Sequence, residues 1–119
     1  MNNKELKAIR TLFFLSPSEA AEHIGGVSVR TWQYWEQARS PIPDDVSVEI
    51  DRLLHKRLSM IETVHELINE QSPDKLEVAY YLSFKEYKAD HFEALYTDWK
   101  IAQSVAAYLF SRYPEVCLK

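Results

Sequence analysis

The chain has a single cysteine, Cys117, so it can form no internal disulfide and lacks a second thiol for a metal-binding knuckle. A reducing compartment is the setting this implies. The longest apolar run near the N-terminus, TLFFL at residues 11–15, is too short for a signal-peptide core, and no segment approaches the length of a membrane span. A soluble, cytoplasmic protein with no membrane partner is expected. Its 119 residues leave no room for a large catalytic scaffold. Catalytic constellations are also missing. His23, His55 and His91 are scattered, and Glu62-Thr63-Val64-His65 has the spacing of di-iron bundles without the second copy and further carboxylates that such sites need. His65-Glu66 has no second histidine at the zincin position, and Cys117 has neither a partner histidine nor a helix start to lower its pKa. The expectation is a non-enzyme that takes no metal and no cofactor.

Apolar residues make up 46% of the chain, enough for a core in one compact unit or two small ones. The formal charge of −4 looks wrong for a nucleic-acid binder, but its distribution matters more than its sum. Residues 1–57 carry eight Lys or Arg and eight Asp or Glu, whereas residues 58–119 carry six and ten. The excess of acid is entirely C-terminal. Lys4, Lys7, Arg10, Arg30 and Arg39 form a modest basic set, which implies few phosphate contacts and a shallow salt dependence.

Cap residues and periodicity divide the chain. A first helix is expected from Lys4 to about Phe13, with Leu6, Ile9, Leu12 and Phe13 inward and an Asn capping its start. Ser16-Pro17-Ser18-Glu19 is a capping box with proline in the first turn, so a second helix starts at Pro17. Gly25-Gly26 ends it, with small Ala20 and Ala21 allowing a close crossing and Gly25 free to take positive φ. A third helix opens at Val27 or Ser28 and finishes near Gln37 or Ala38, before SPIP. Two short helices joined by a glycine turn form the helix-turn-helix pattern. Pro43, Asp44 and Asp45 open a long helix to about residue 70, with Val46, Ile50, Leu53, Leu54, Leu58, Ile61, Val64, Leu67 and Ile68 inward. The alternative is a break near Lys56-Arg57. Leu76 to Leu82 alternates as a half-buried strand, the only one visible, and a lone strand is expected to pair with its copy in a second chain. Ser83 opens a short helix to Asp90, and a last helix from about Asp98 to Tyr113 faces inward with Trp99, Ala102, Val105, Ala106, Leu109 and Phe110. The fold class is mainly α: a headpiece (residues 1–57), a long linking helix and a small C-terminal α/β part with one strand (residues 58–119).

The third helix is amphipathic in an unusual way. At 100° per residue, Arg30, Gln33, Tyr34 and Gln37 share one face, while Trp32 and Trp35 point the other way. A guanidinium, two amides and a phenol with no carboxylate suit a DNA major groove, where Arg forks onto guanine and Gln pairs with adenine. The plain alternative is an ordinary amphipathic helix with Arg and Gln on its wet side. The indoles read as core, because a small headpiece needs their burial. Ser28 serves either as a helix cap or as a contact residue, and Tyr34 reaches either a base or a phosphate. Ser18, Gln37 and Arg39 flank the stripe as phosphate candidates.

PSEAAEHIGGVSVRTWQYWE at residues 17–36 resembles the helix-turn-helix of phage-repressor-like regulators, with small Ala21, Ile24 before the turn and anchors Val27, Trp32 and Trp35. Together with ELKAIR, SPIPDDV and the late TDWKIAQSVAAYL, it is similar to the YdiL-like group, which includes anti-CRISPR-associated autorepressors. That resemblance implies a cytoplasmic homodimer that binds inverted repeats of double-stranded DNA in its own promoter and represses transcription. By position, the family's base-reading slots fall on Ser28, Val29, Arg30, Gln33 and Tyr34, and an internal pair falls on Arg10 and Glu36. Gly25-Gly26 departs from the general pattern by one extra turn residue. The acidic C-terminal part would join two chains and hold the reading helices about 34 Å apart, one DNA turn. A competing class is a protein-interaction or antitoxin-like module whose exposed Tyr80, Tyr81, Tyr87, Tyr96 and Tyr108 bind a partner protein. RNA binding by the same headpiece stays open.

Overall fold

The structure, a computed structural model, describes residues 1–119 as two compact units, Met1–Leu53 and Leu54–Lys119. The architecture is mainly α-helical, with one two-stranded sheet.

In the first unit, α1 (Asn3–Leu12) starts where the Asn2 side chain accepts the Glu5 N–H and the Glu5 carboxylate accepts the Asn2 N–H, both at 2.8 Å. This reciprocal cap satisfies two orphan helix donors. The helix ends on Phe14, whose φ is +61°; Phe14 donates to the Thr11 carbonyl and Leu15 to that of Arg10. Those two bonds are the Schellman termination. The reversal brings Leu15 into the core and leaves Leu12, expected inside, 39% exposed; Leu6 and Phe13 are fully buried.

Helix α2 (Pro17–Ala20) starts at the Ser16–Glu19 capping box and continues as a wider π-helical turn, Ala21–Gly25. There the Ala21 carbonyl accepts the N–H groups of both Gly26 and Val27. The wide turn accommodates the extra residue of the Gly pair, and the two glycines have different tasks. Gly26 takes the left-handed conformation, φ +61°, that the sequence had suggested for Gly25. Gly25 is instead needed for space, since a Cβ there would sit 3.2 Å from ring atoms of both Trp32 and Trp35.

Helix α3 (Val29–Glu36) is capped by Ser28, whose hydroxyl accepts the Thr31 N–H at 3.2 Å. Helix α4 (Asp44–Gln71) is a single run of 28 residues with no break at Lys56-Arg57. Its Val46, Ile50 and Leu53 complete the buried set of the first unit.

The second unit takes the remainder of α4, β1 (Leu76–Val78), α5 (Phe84–Asp90), α6 (Tyr96–Arg112) and β2 (Val116–Leu118). Its core centres on α6, where Trp99, Ile101, Val105, Ala106 and Leu109 are buried. Phe110 and Leu58, both expected inside, are 54% and 53% exposed. The expected pairing of the strand with a second chain is corrected by the fold. Strand β1 pairs in parallel with β2 of its own chain, Leu76 opposite Val116 and Val78 opposite Leu118. It is also shorter than its alternation suggests. Beyond Val78 the Tyr81 carbonyl accepts hydrogen bonds from Trp99 Nε1 and Gln103 Nε2, each at 2.8 Å, and Leu82 is exposed. The Tyr80 N–H still bonds the Lys119 carbonyl at 3.0 Å, and from Tyr81 the backbone bonds to α6 instead.

Four of the five tyrosines expected as an exposed aromatic face are half-buried, and Tyr108 alone is exposed. Several pack on one another's neighbours: Tyr87 stacks on His91 with centroids 4.2 Å apart, and Tyr81 meets Tyr87 edge-on at 5.2 Å. The exposed large apolar side chains of this unit are chiefly Phe92, Leu82, Leu95, Phe110 and Leu58.

Candidate nucleic-acid interface

Two indoles fix which way α3 faces. Trp32 is fully buried and Trp35 is 5% exposed, their centroids 5.5 Å apart and their planes tilted by 59°. Burial of two such side chains supplies much of the apolar surface a small unit can bury. The opposite side of the helix is therefore held outward. Arg30, Gln33 and Gln37 are exposed there, Val29 and Ser28 are exposed at its start, and Tyr34 is half-buried.

The only carboxylate in α3 is withdrawn from that side. Arg10 grips Glu36 in a two-pronged ion pair, Nε to Oε2 at 2.6 Å and Nη2 to Oε1 at 3.1 Å, with the side chains 11% and 9% exposed. Trp32 Nε1 donates to the same Oε2, and Arg10 Nη1 caps the Leu15 carbonyl at 2.9 Å. Burial is the largest single influence on the Glu36 carboxyl and pushes its pKa up. The hydrogen bonds from Arg10 and Trp32, with the charges of Arg10 and Lys7, outweigh it and hold the group below its ordinary value. Arg10 is thus a structural cation. The same knot joins α1 to α3, and Asn3 reinforces it by donating to the Glu36 carbonyl at 3.1 Å.

At the far end, the chain leaves α3 through a second Schellman turn. Ala38 sits at φ +58°; its N–H bonds the Trp35 carbonyl, and the Arg39 N–H bonds that of Tyr34. Arg39 is thereby folded back so that its guanidinium carbon lies 5.1 Å from the Tyr34 ring centroid. Arg30, one helical turn earlier, donates from Nε to the Tyr34 hydroxyl at 2.9 Å.

Other sequence-derived site residues have more local tasks. The Ser28 hydroxyl is committed to the cap, and it also shares a hydrogen bond with Thr31 Oγ1 at 3.1 Å. Ser18 is exposed in the first turn of α2, beside Glu19, whose carboxylate accepts the Ser16 N–H at 2.9 Å. Two residues with structural roles at this site, Asn3 and Thr31, escaped the sequence, and Ala38 was legible there only as an alternative end of the third helix. Thr31, three places after a capping serine, had a local signal; Asn3 and Ala38 act through contacts that no periodicity encodes.

Taken together, one exposed helical face presents a guanidinium and two amides, with a tyrosine and a second guanidinium alongside and its carboxylate neutralised inside. Such a face is complementary to a row of hydrogen-bond acceptors, as on base edges in a major groove, with phosphates beside it.

The chain belongs to the Aca2/YdiL-like family, whose model matches residues 1–118. It is 44% identical over 111 residues to the Aca2 repressor of Pectobacterium phage ZF40, an alignment covering 93% of this chain and 94% of that protein. It is also 28% identical over 112 residues to the uncharacterized protein YdiL of Escherichia coli strain K12, covering 93% and 94% of the two chains.

Proposed function

We propose that the protein is a cytoplasmic, autoregulatory transcriptional repressor that binds double-stranded DNA as a homodimer on an inverted repeat, with α3 in the major groove. The observation that carries this reading is the exposed Arg30, Gln33 and Gln37 face, held outward by the buried Trp32 and Trp35 and cleared of negative charge by the Arg10–Glu36 pair. Arg30 reads a guanine, and Gln33 reads an adenine. Val29 and Ser28 border the bases, while Ser18, Gln37 and Arg39 contact phosphates. The repressor name of the phage relative, shared over nearly the whole chain, supports the same conclusion.

Residues 1–57 form the reading headpiece and residues 58–119 join the two protomers. The exposed Phe110 and Leu58 of the second unit support an apolar contact between copies. Two linked headpieces give a weakly basic module an effective affinity that one alone lacks. The test is a gel shift with full-length protein and the DNA immediately upstream of its own reading frame. Arg30→Ala is expected to weaken the specific complex by about 1 to 3 kcal/mol per half-site and to relax specificity at one base pair, while its thermal melt stays within a few degrees of wild type. Undiminished binding by that variant would remove α3 from the role of reader. A folded RNA that displaces the promoter fragment with equal affinity would count against DNA as the specific target.

A further inference from the structure

Tyr34 stands between two arginines that approach it from different backbone contexts. Arg30 lies one turn before it on α3, and its Nε donates to the phenolic oxygen at 2.9 Å. Arg39 lies beyond the helix, and it reaches the ring because the chain reverses through the left-handed Ala38. In a Schellman turn, the residue after the reversal commonly packs an apolar side chain on the helix residue five positions earlier. Here that pair is Arg39 and Tyr34, and a guanidinium over an aromatic face takes the place of the apolar contact.

We propose, resting on the DNA-reading function above, that Tyr34 is a positioning residue: its hydroxyl sets Arg30 for end-on recognition of a guanine, and its ring holds Arg39 ready for a phosphate. A guanidinium has five N–H donors, one on Nε and four on the terminal nitrogens. With Nε engaged by the phenol, the side-on fork that uses Nε is closed. The two terminal nitrogens remain, and these form the end-on fork onto O6 and N7. Holding a long side chain in one direction before DNA arrives also removes part of the ordering cost of binding. The half-burial of Tyr34 fits this role, because the ring is a platform for neighbours as well as a groove-facing group.

The hydroxyl and the ring can be separated. Tyr34→Phe deletes the bond to Arg30 and keeps a face for Arg39, whereas Tyr34→Leu deletes both. Fluorescence anisotropy with the full-length protein, the upstream promoter fragment, half-site fragments with each G·C pair replaced in turn, and an unrelated duplex, over a series of salt concentrations, reads both effects. Tyr34→Phe is expected to reduce discrimination at one G·C position about tenfold, the position at which Arg30→Ala also loses it, with binding to the unrelated duplex and the salt slope unchanged. Tyr34→Leu is expected to lose the same discrimination and, in addition, to weaken binding to every duplex and flatten the salt slope by about one per protomer. Circular dichroism melts confirm that both variants fold.

Wild-type discrimination by Tyr34→Phe, beside an Arg30→Ala variant that has lost it, overturns the assignment and leaves the DNA reading intact. A uniform loss by Tyr34→Phe on all duplexes makes the phenol a direct phosphate contact and also overturns it. A wild-type protein that does not distinguish the promoter fragment from the unrelated duplex refutes the DNA reading, and the role of Tyr34 with it.

Discussion

Glu36 shows how one side chain can decide what a whole face is able to do. Left exposed on α3, its charge would repel a phosphate backbone; drawn inside by Arg10 and Trp32, it instead ties α3 to α1. Its carboxyl titrates below its ordinary value in the folded chain. A depressed folded pKa means the unfolded chain binds the proton more readily. The stabilisation is therefore complete above the ordinary carboxylate range and is lost as pH falls through the lower folded value. Urea unfolding between about pH 6 and pH 3 should show stability falling with acid, and Glu36→Gln should flatten that dependence. The same variant strands the nearly buried Arg10 guanidinium, so at neutral pH it should lose about 3 kcal/mol. A pH profile unchanged by the substitution would show that other carboxylates govern acid unfolding.

Among the elements, the ends of helices were easier to read in the sequence than their connections. Asn2, Ser16, Ser28 and Ser83 each cap a helix by accepting the N–H three residues on, a signal contained in four consecutive residues. Strand β2 carries no such signal. Its three residues are too few to show alternation, and their partner β1 lies far back in the sequence. Alternation likewise overstated β1, because the bonds of Tyr81 to α6 are invisible to a local pattern. The Gly25-Gly26 turn was found as a turn, but positive φ was expected at Gly25 and falls on Gly26, and the crowding of Gly25 by Val27, Trp32 and Trp35 is a property of packing. That distinction is measurable. Gly26→Ala meets no neighbour but must hold φ +61°, at a cost of about 1 to 2 kcal/mol. Gly25→Ala requires Val27 and both indoles to give by a few tenths of an ångström and should cost about 1 to 3 kcal/mol. The two differ most clearly in near-ultraviolet circular dichroism, where only Gly25→Ala should alter the tryptophan signal. An unchanged indole spectrum in Gly25→Ala would mean the close approach there is not what requires glycine.

For the whole molecule, the division of charge between the halves could be read directly from the sequence, but which cations are available could not. On a helical projection Arg10 resembles Lys4 and Lys7, yet it is taken up by Glu36, 26 residues away. Arg52 pairs with Glu49 at 2.7 Å within α4. The exposed cations left in Met1–Leu53 without a carboxylate partner are Lys4, Lys7, Arg30 and Arg39. Each phosphate neutralised on duplex DNA contributes about −0.9 to the slope of log affinity against log salt. If two such units act together and all four cations of each reach phosphates, the slope is about −7 at its steepest, and base contacts by Arg30 make it shallower. On this reading, specificity comes from the direct contacts of α3 and from linkage of two half-sites, because phosphate contacts position the protein without reading sequence. Anisotropy titrations of the full-length protein on its upstream fragment between about 50 and 200 mM salt measure that slope. A value near −10 or steeper would bring cations of the second unit into the interface, and the assignment of the DNA-contacting surface to Met1–Leu53 alone would fail.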